Sequence, residues 1–179
     1  TVGVSNMNVL PTVNPYVEKD LFIELYNKGD KAFSWKAMPK QEWIQLTKRF
    51  GRTELQERIT VSVDWAKVPK GSNIIGEIDL MSGSRTERVY LPIFNPTSPS
   101  VEELKGVYVE DNGCVSINAG KFHRKIENNG IKIRLVKGLG YENDCVQLGE
   151  ATQAVPNMWF TNKSPKVEYD FYTFNGGKA

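Results

Sequence analysis

Histidine occurs once in the 179 residues and cysteine twice. Chemistry built on imidazole or thiolate clusters therefore has few residues to draw on. His123 sits in Lys121-Phe122-His123-Arg124-Lys125, and the sequence places no Ser or Cys nucleophile beside it. A general base needs a partner that orients it, so the ordinary reading is an exposed strand histidine. Cys114 and Cys145 with one His cannot close a structural zinc site without two further ligands. Both cysteines lie in β-like runs and read as buried free thiols, small hydrophobes, with a disulfide as the alternative.

Long apolar runs are missing too. None approaches the roughly 20 residues that span a bilayer as a helix. Charge of one sign is not in excess: 23 Lys and Arg stand against 21 Asp and Glu, a formal net charge of +2. The two signs are interspersed, without the basic stripe that marks a nucleic-acid or membrane partner. Thr1 is not an initiator Met and begins no signal-peptide pattern, so the chain reads as an excised or processed piece.

Alternation is what the sequence has in quantity. In residues 58–65, Ile59, Val61, Val63 and Trp65 alternate with Thr60, Ser62 and Asp64. Successive strand side chains point to opposite faces, so this is a half-buried strand. Lys67-Val68-Pro69-Lys70-Gly71 ends it, since Pro cannot continue a central ladder. Residues 77–80 and 88–93 alternate likewise, with Met81-Ser82-Gly83-Ser84-Arg85 as the turn between them. These three runs read as a meander, half of a small sandwich. Upstream, residues 21–26 and 33–37 read as a hairpin across Asn27-Lys28-Gly29-Asp30. Residues 43–46 form a short strand, and the charged residues 49–57 a loop. Residues 1–17 read as a leading arm with one edge strand.

Asn95-Pro96-Thr97-Ser98-Pro99-Ser100 has linker composition. Ser100 with Glu103 has capping-box spacing, and predicts one helical turn at residues 101–104. Beyond it, residues 114–117, 121–126, 131–136, 145–148 and 167–174 are strand-like, with Asn128-Asn129-Gly130 as a tight turn. The fold class is thus all-β: an immunoglobulin-like β-sandwich over 1–97 with its N-terminal arm, a linker at 98–105, and a second domain at 106–179. About 75 residues are few to close a sandwich, and the second domain reads as an incomplete jelly roll.

Several constellations invite a catalytic or ligand reading. Glu142 with Asp144, and Glu168 with Asp170, each share a face if extended, but paired carboxyls serve glycoside hydrolysis only across a sugar. A solvated polar face accounts for them as well. Gly138-Leu139-Gly140 lacks the third glycine and the following helix of a dinucleotide fingerprint. Glu142, Asn143 and Asp144 could offer oxygens to calcium, and turn chemistry explains the same residues. Tyr141, Trp159 and Phe160 lie in loops. Rings there can stack on a sugar, with Asn143 beside them for hydroxyls. Trp159 could equally plug an open end of the core. Trp35, Trp43 and Trp65 belong to strands and are assigned to the core.

Two stretches together resemble glycoside hydrolase family 115. Arg58-Ile-Thr-Val-Ser-Val-Asp64-Trp65, Val68-Pro69, Gly71, and residues 76–80 and 89–96 look like the sandwich that follows that family's catalytic part; Phe33-Ser34-Trp35 and Trp43-Ile44 fit it too. Residues 115–125, 138–144 and 164–171 look like its C-terminal domain. The resemblance implies an accessory region of an α-glucuronidase acting on glucuronoxylan, with no catalytic residue, because nothing here resembles the catalytic domain. Its role would be to position an upstream catalytic domain, to help form a homodimer, or to contact xylan through Tyr141, Asn143 and Trp159. It also implies a bacterial protein, secreted, periplasmic or at the cell surface, with no nucleic-acid or membrane partner. The C-terminal domain resembles jelly-roll carbohydrate-binding modules whose opening strand carries Glu residues for a structural calcium. Asn118 and Gly120 stand at those positions, so no cofactor is expected. The alternative is a free-standing glycan- or protein-binding module at the cell surface.

Overall fold

A computed structural model describes residues 8–128, 130–140, 144–150 and 164–176. These residues are all-β and divide into two compact units, Thr1–Glu103 and Leu104–Ala179.

The described residues of the first unit form eight strands: β1 (Asn8–Val9), β2 (Leu21–Tyr26), β3 (Phe33–Pro39), β4 (Ile44–Leu46), β5 (Phe50–Thr53), β6 (Gln56–Val63), β7 (Gly71–Ser82) and β8 (Arg85–Asn95). They form a five-stranded sheet, β1-β8-β7-β3-β5, and a three-stranded sheet, β2-β6-β4. Between them lies one apolar cluster, with Ile23, Ile44, Ile59 and Val61 from the smaller sheet and Trp35, Ala37, Ile78, Leu91 and Ile93 from the larger. The alternation of residues 58–63 is realised directly: Ile59 and Val61 are buried, while Thr60 and Ser62 face solvent. Each fully buried aliphatic side chain contributes about 1.5–3 kcal/mol relative to exposure. Trp35 and Trp43 are buried and Trp65 packs at the margin, as expected of core residues.

Strand pairing departs from the sequence expectation in two places. β6 pairs with β2 and β4, not with β7, so the expected meander is a crossing between sheets followed by the β7–β8 hairpin. The segment after β6 makes the crossing. Asp64 N–H donates to the Trp43 carbonyl, Val68 is buried, and the Asn95 amide donates to the carbonyls of Val68 and Pro69 at 3.1 and 3.0 Å. β2 and β3 likewise belong to different sheets, so the expected hairpin is absent. Asn27 turns the chain, donating its side-chain amide to the carbonyls of Lys31 and Glu54. Alternation specifies a face, not a neighbour.

Residues 49–57, expected as a loop, supply β5 and the start of β6. β5 is an edge strand, and charged side chains are at home there. Two glycines admit tryptophan rings to the core. A Cβ at Gly51 would lie 2.7 Å from the Trp35 ring, and one at Gly76 2.6 Å from the Trp43 ring.

The second unit contributes β9 (Tyr108–Val109), β10 (Arg124–Ile126), β11 (Ile133–Lys137), β12 (Asp144–Leu148), β13 (Lys166–Glu168) and β14 (Phe171–Tyr172). They pair as β10–β13 and β11–β12, antiparallel, and β9–β14, parallel. Residues 114–117 form no strand; Cys114 closes a turn on Asp111. The expected strand at 167–174 is broken into β13 and β14. The described residues of the second unit form three strand pairs, which is all-β and does not by itself display the incomplete jelly roll expected. Residues 101–106 are turns, not a helix, yet the capping pair forms: Glu103 accepts from the Ser100 N–H and hydroxyl at 2.6 and 2.8 Å.

Candidate functional site

In the second unit, Asp144 opens β12 opposite Lys137 at the end of β11. The Gly138-Leu139-Gly140 segment leaves β11 with positive φ at both glycines, +79° and +98°. L side chains rarely adopt such backbone, which accounts for the Gly-Leu-Gly spacing without a nucleotide. A Cβ at Gly140 would meet the Asp144 carbonyl oxygen at 2.8 Å, and a Cβ at Gly120 would meet the Asp144 Cβ at 2.8 Å. Asp144 is therefore seated between two backbone segments that only glycine lets approach.

Two tyrosines hold the segment around Gly120. The Tyr108 hydroxyl lies 3.1 and 2.8 Å from the carbonyl oxygens of Asn118 and Lys121. Tyr169 donates to the Ala119 carbonyl at 2.8 Å. Asn118 Oδ1 accepts the Gly120 N–H at 2.8 Å, which completes a local turn. Sequence reasoning missed both tyrosines. Tyr169 falls in the alternation with Val167 and Phe171 and reads there as an ordinary strand residue.

Near Asp144, the Asn118 side-chain oxygen already accepts the Gly120 N–H. No group of three His, Cys, Asp or Glu that could hold a metal occurs among the described residues.

Next to this loop lies an ion-pair junction. Arg124 on β10 donates Nε to Glu168 at 2.9 Å and both terminal nitrogens to Asp170 at 2.8 and 2.7 Å. The carboxylates share a face, as the spacing predicted, but they grip one guanidinium and do not flank a substrate space. The Arg124 guanidinium holds the Asp170 carboxyl below its ordinary range. Lys166 first, and then Arg124, do the same for Glu168. Bidentate geometry of this kind is specific to arginine.

His123 is exposed, as expected, and both its ring nitrogens are engaged. Nδ1 accepts the Asp170 N–H at 3.0 Å, and Nε2 faces the Gly106 carbonyl at 2.5 Å. That pattern makes Nε2 the protonated nitrogen. The histidine is a strut joining three chain segments, with its base nitrogen already occupied. Glu110, which is buried, accepts the backbone N–H groups of Phe174 and Asn175 at 2.7 and 3.3 Å and fastens the chain beyond β14.

Cys114 and Cys145 are free, as expected, but exposed, not buried. Cys114 lies in the turn on Asp111, and Cys145 lies in a two-stranded ribbon too small to cover both of its faces. Tyr141, Asn143 and Trp159, the expected sugar-binding residues, lie outside the described residues. Gly140 and Asp144 are the described residues on either side of Tyr141 and Asn143.

Comparison with known proteins bears on this unit. Residues 107–179 match the glycosyl hydrolase family 115 C-terminal domain. The match lies within the second unit and agrees with the resemblance read from the sequence. No curated protein matches the chain. Among solved structures, a Bacteroides ovatus GH5 xyloglucanase in complex with a XXXG heptasaccharide is 10% identical, with a TM-score of 0.38, over 54% of this chain and 19% of that one. The E. coli chaperone DraB is 11% identical, with a TM-score of 0.38, over 59% and 62% of the two chains. The Pseudomonas aeruginosa CupB2 chaperone is 10% identical, with a TM-score of 0.37, over 54% and 57%. The chain spans 19% to 62% of these structures' lengths, and likeness at this level carries no argument about function.

Proposed function

We propose that the chain is a non-catalytic accessory region of a family 115-like α-glucuronidase, and that its second unit contacts glucuronoxylan. The observation that carries the reading is the match of residues 107–179 to the family's C-terminal domain. The local chemistry is compatible with it. The carboxylates of the second unit that share a face are committed to Arg124, and the lone histidine is committed to two backbone groups. The sugar contact is assigned to Tyr141, Asn143 and Trp159. The same reading carries an upstream catalytic domain as partner, a homodimer as the assembly, and a secreted, periplasmic or cell-surface location.

Calorimetric titration of the intact chain with glucuronoxylan oligosaccharides, with and without calcium, tests it. Micromolar to millimolar binding, independent of calcium and lost in Trp159→Ala, is the expected result. Folded protein giving no heat under either condition would remove the sugar contact. Hydrolysis of a glucuronylated oligosaccharide by this chain alone would overturn the non-catalytic assignment.

A further inference from the structure

The outer face of the five-stranded sheet divides into two electrostatic halves. Toward β7 and β8 its charges are neutralised. Asp79 takes Arg88 at 2.8 Å and Lys40 at 2.6 Å, and Glu77 takes Arg88 at 2.9 Å. Toward the β5 edge they are not. Lys36 on β3 pairs in register with Phe50 on β5, and Ser34 with Arg52. Burial alternates along both strands, with Trp35, Ala37 and Thr53 inside, so Ser34, Lys36, Phe50 and Arg52 share the solvent face. Directly paired residues have Cβ atoms about 4.5–5.5 Å apart, and next-nearest ones about 7 Å. Phe50 is 77% exposed, and neither Lys36 nor Arg52 has an ion-pair or side-chain hydrogen-bond partner among the described residues.

An exposed phenyl ring flanked by two uncompensated cations, on an open sheet edge, is built for a ligand with one apolar face and a negative charge. A sugar ring has an apolar C–H face. A uronate adds the carboxylate, which matches the planar fork of arginine. We propose that the Phe50, Lys36 and Arg52 face binds a uronate-bearing glycan, the ring stacking on Phe50 and the carboxylate taken by Arg52 with Lys36 beside it. The proposal rests on the glucuronoxylan reading above and adds a second contact, in the first unit, selective for the acidic substituent. Residues 50–53 show no apolar alternation in the sequence because the inward positions are Gly51 and Thr53, and the face exists only through the β3–β5 register.

The test compares a glucuronylated xylo-oligosaccharide with its neutral counterpart on the intact chain. The proteins are wild type, Phe50→Ala, the Lys36→Ser/Arg52→Ser double variant and Trp159→Ala. All three residues on the face are exposed, so the variants should keep the wild-type unfolding midpoint, and that midpoint is measured first. Losing hydrogen bonds to a charged group is expected to weaken the acidic oligosaccharide by on the order of tenfold or more in the double variant, with neutral oligosaccharide unchanged. Retention of acidic selectivity in Trp159→Ala would separate this face from the second unit's contact and supports the proposal even where that contact fails. Equal affinity of wild type and the double variant for the acidic oligosaccharide overturns it. So does equally tight binding of a polyglutamate peptide, which would make the face an unselective anion patch.

Discussion

Replacing Gly76 by alanine probes the packing of the first unit directly. Gly76 is buried on β7, and the new methyl would lie 2.6 Å from Trp43 Cη2 and 2.8 Å from Ile44 Cδ1. Both neighbours are buried, so neither can swing into solvent. Forcing one extra carbon into such a site costs about 1–3 kcal/mol. Alanine also restricts the unfolded chain, which returns about 0.4–1 kcal/mol. The net destabilisation by these two effects is therefore up to about 2.6 kcal/mol, and about 1.3 kcal/mol at the middle of both ranges. For a unit of 103 residues, each kcal/mol moves the midpoint by roughly 4–8 °C. Thermal unfolding of the intact chain, followed by tryptophan fluorescence, reads the shift. Gly29→Ala is the control, because its added Cβ finds only Asn27 Oδ1 at 3.6 Å. Combining Gly76→Ala with Ile44→Val should recover part of the loss, since the two changes act on one volume and are not additive. A Gly76→Ala midpoint equal to that of Gly29→Ala would refute the close approach of β7 to Trp43.

Other predictions follow from single contacts. Asn95→Leu should destabilise the first unit by about 1–3 kcal/mol in denaturant unfolding, because the Val68 and Pro69 carbonyls lose their donor in a buried setting. Glu127 accepts the Ile133 N–H at 3.0 Å and the ammonium groups of Lys125 and Lys132, which together hold its carboxyl down to about 2 from 4.5. A depressed folded value stabilises above the ordinary range, and that stability is lost as pH falls from about 4.5 to about 2. Glu127→Gln should flatten the fall in the second unit's unfolding midpoint across that window, and an unchanged pH profile would count against the contact. Arg124→Lys should lower the second unit's midpoint, because an ammonium cannot fork onto Asp170 and reach Glu168 at once; equal midpoints at low and high salt would sink this reading. Thiol labelling of the folded chain should modify both Cys114 and Cys145 without denaturant, and protection of either would contradict their exposure.

Much of the all-β character was settled by residue order alone. Period-two alternation at residues 21–26, 33–37, 58–63 and 88–93 specifies which side chains turn inward, and the burial of Ile23, Trp35, Ile59 and Leu91 follows from it. Prolines and glycines ended strands for local reasons, and the Ser100–Glu103 cap was readable because it spans three residues. Pairing was not readable. The same alternation serves a strand in either sheet, so whether β6 met β7 or β2 depended on the path of residues 64–70 and on Asn95, 27 residues beyond Val68, holding that path in place. Strand β5 was hidden for a related reason: its inward positions are Gly51, beneath the Trp35 ring, and Thr53, so no apolar alternation marks it. In the second unit, the sequence put Glu168 and Asp170 on one face, but only the fold brought Arg124 between them. The roles of Tyr108, Tyr169 and Glu110 depended on backbone groups remote in sequence, which no local pattern records. Residue order determines which face of each segment is apolar, because that is a local property of side chains. Which segments meet is decided by the whole chain finding one arrangement that buries all those faces together.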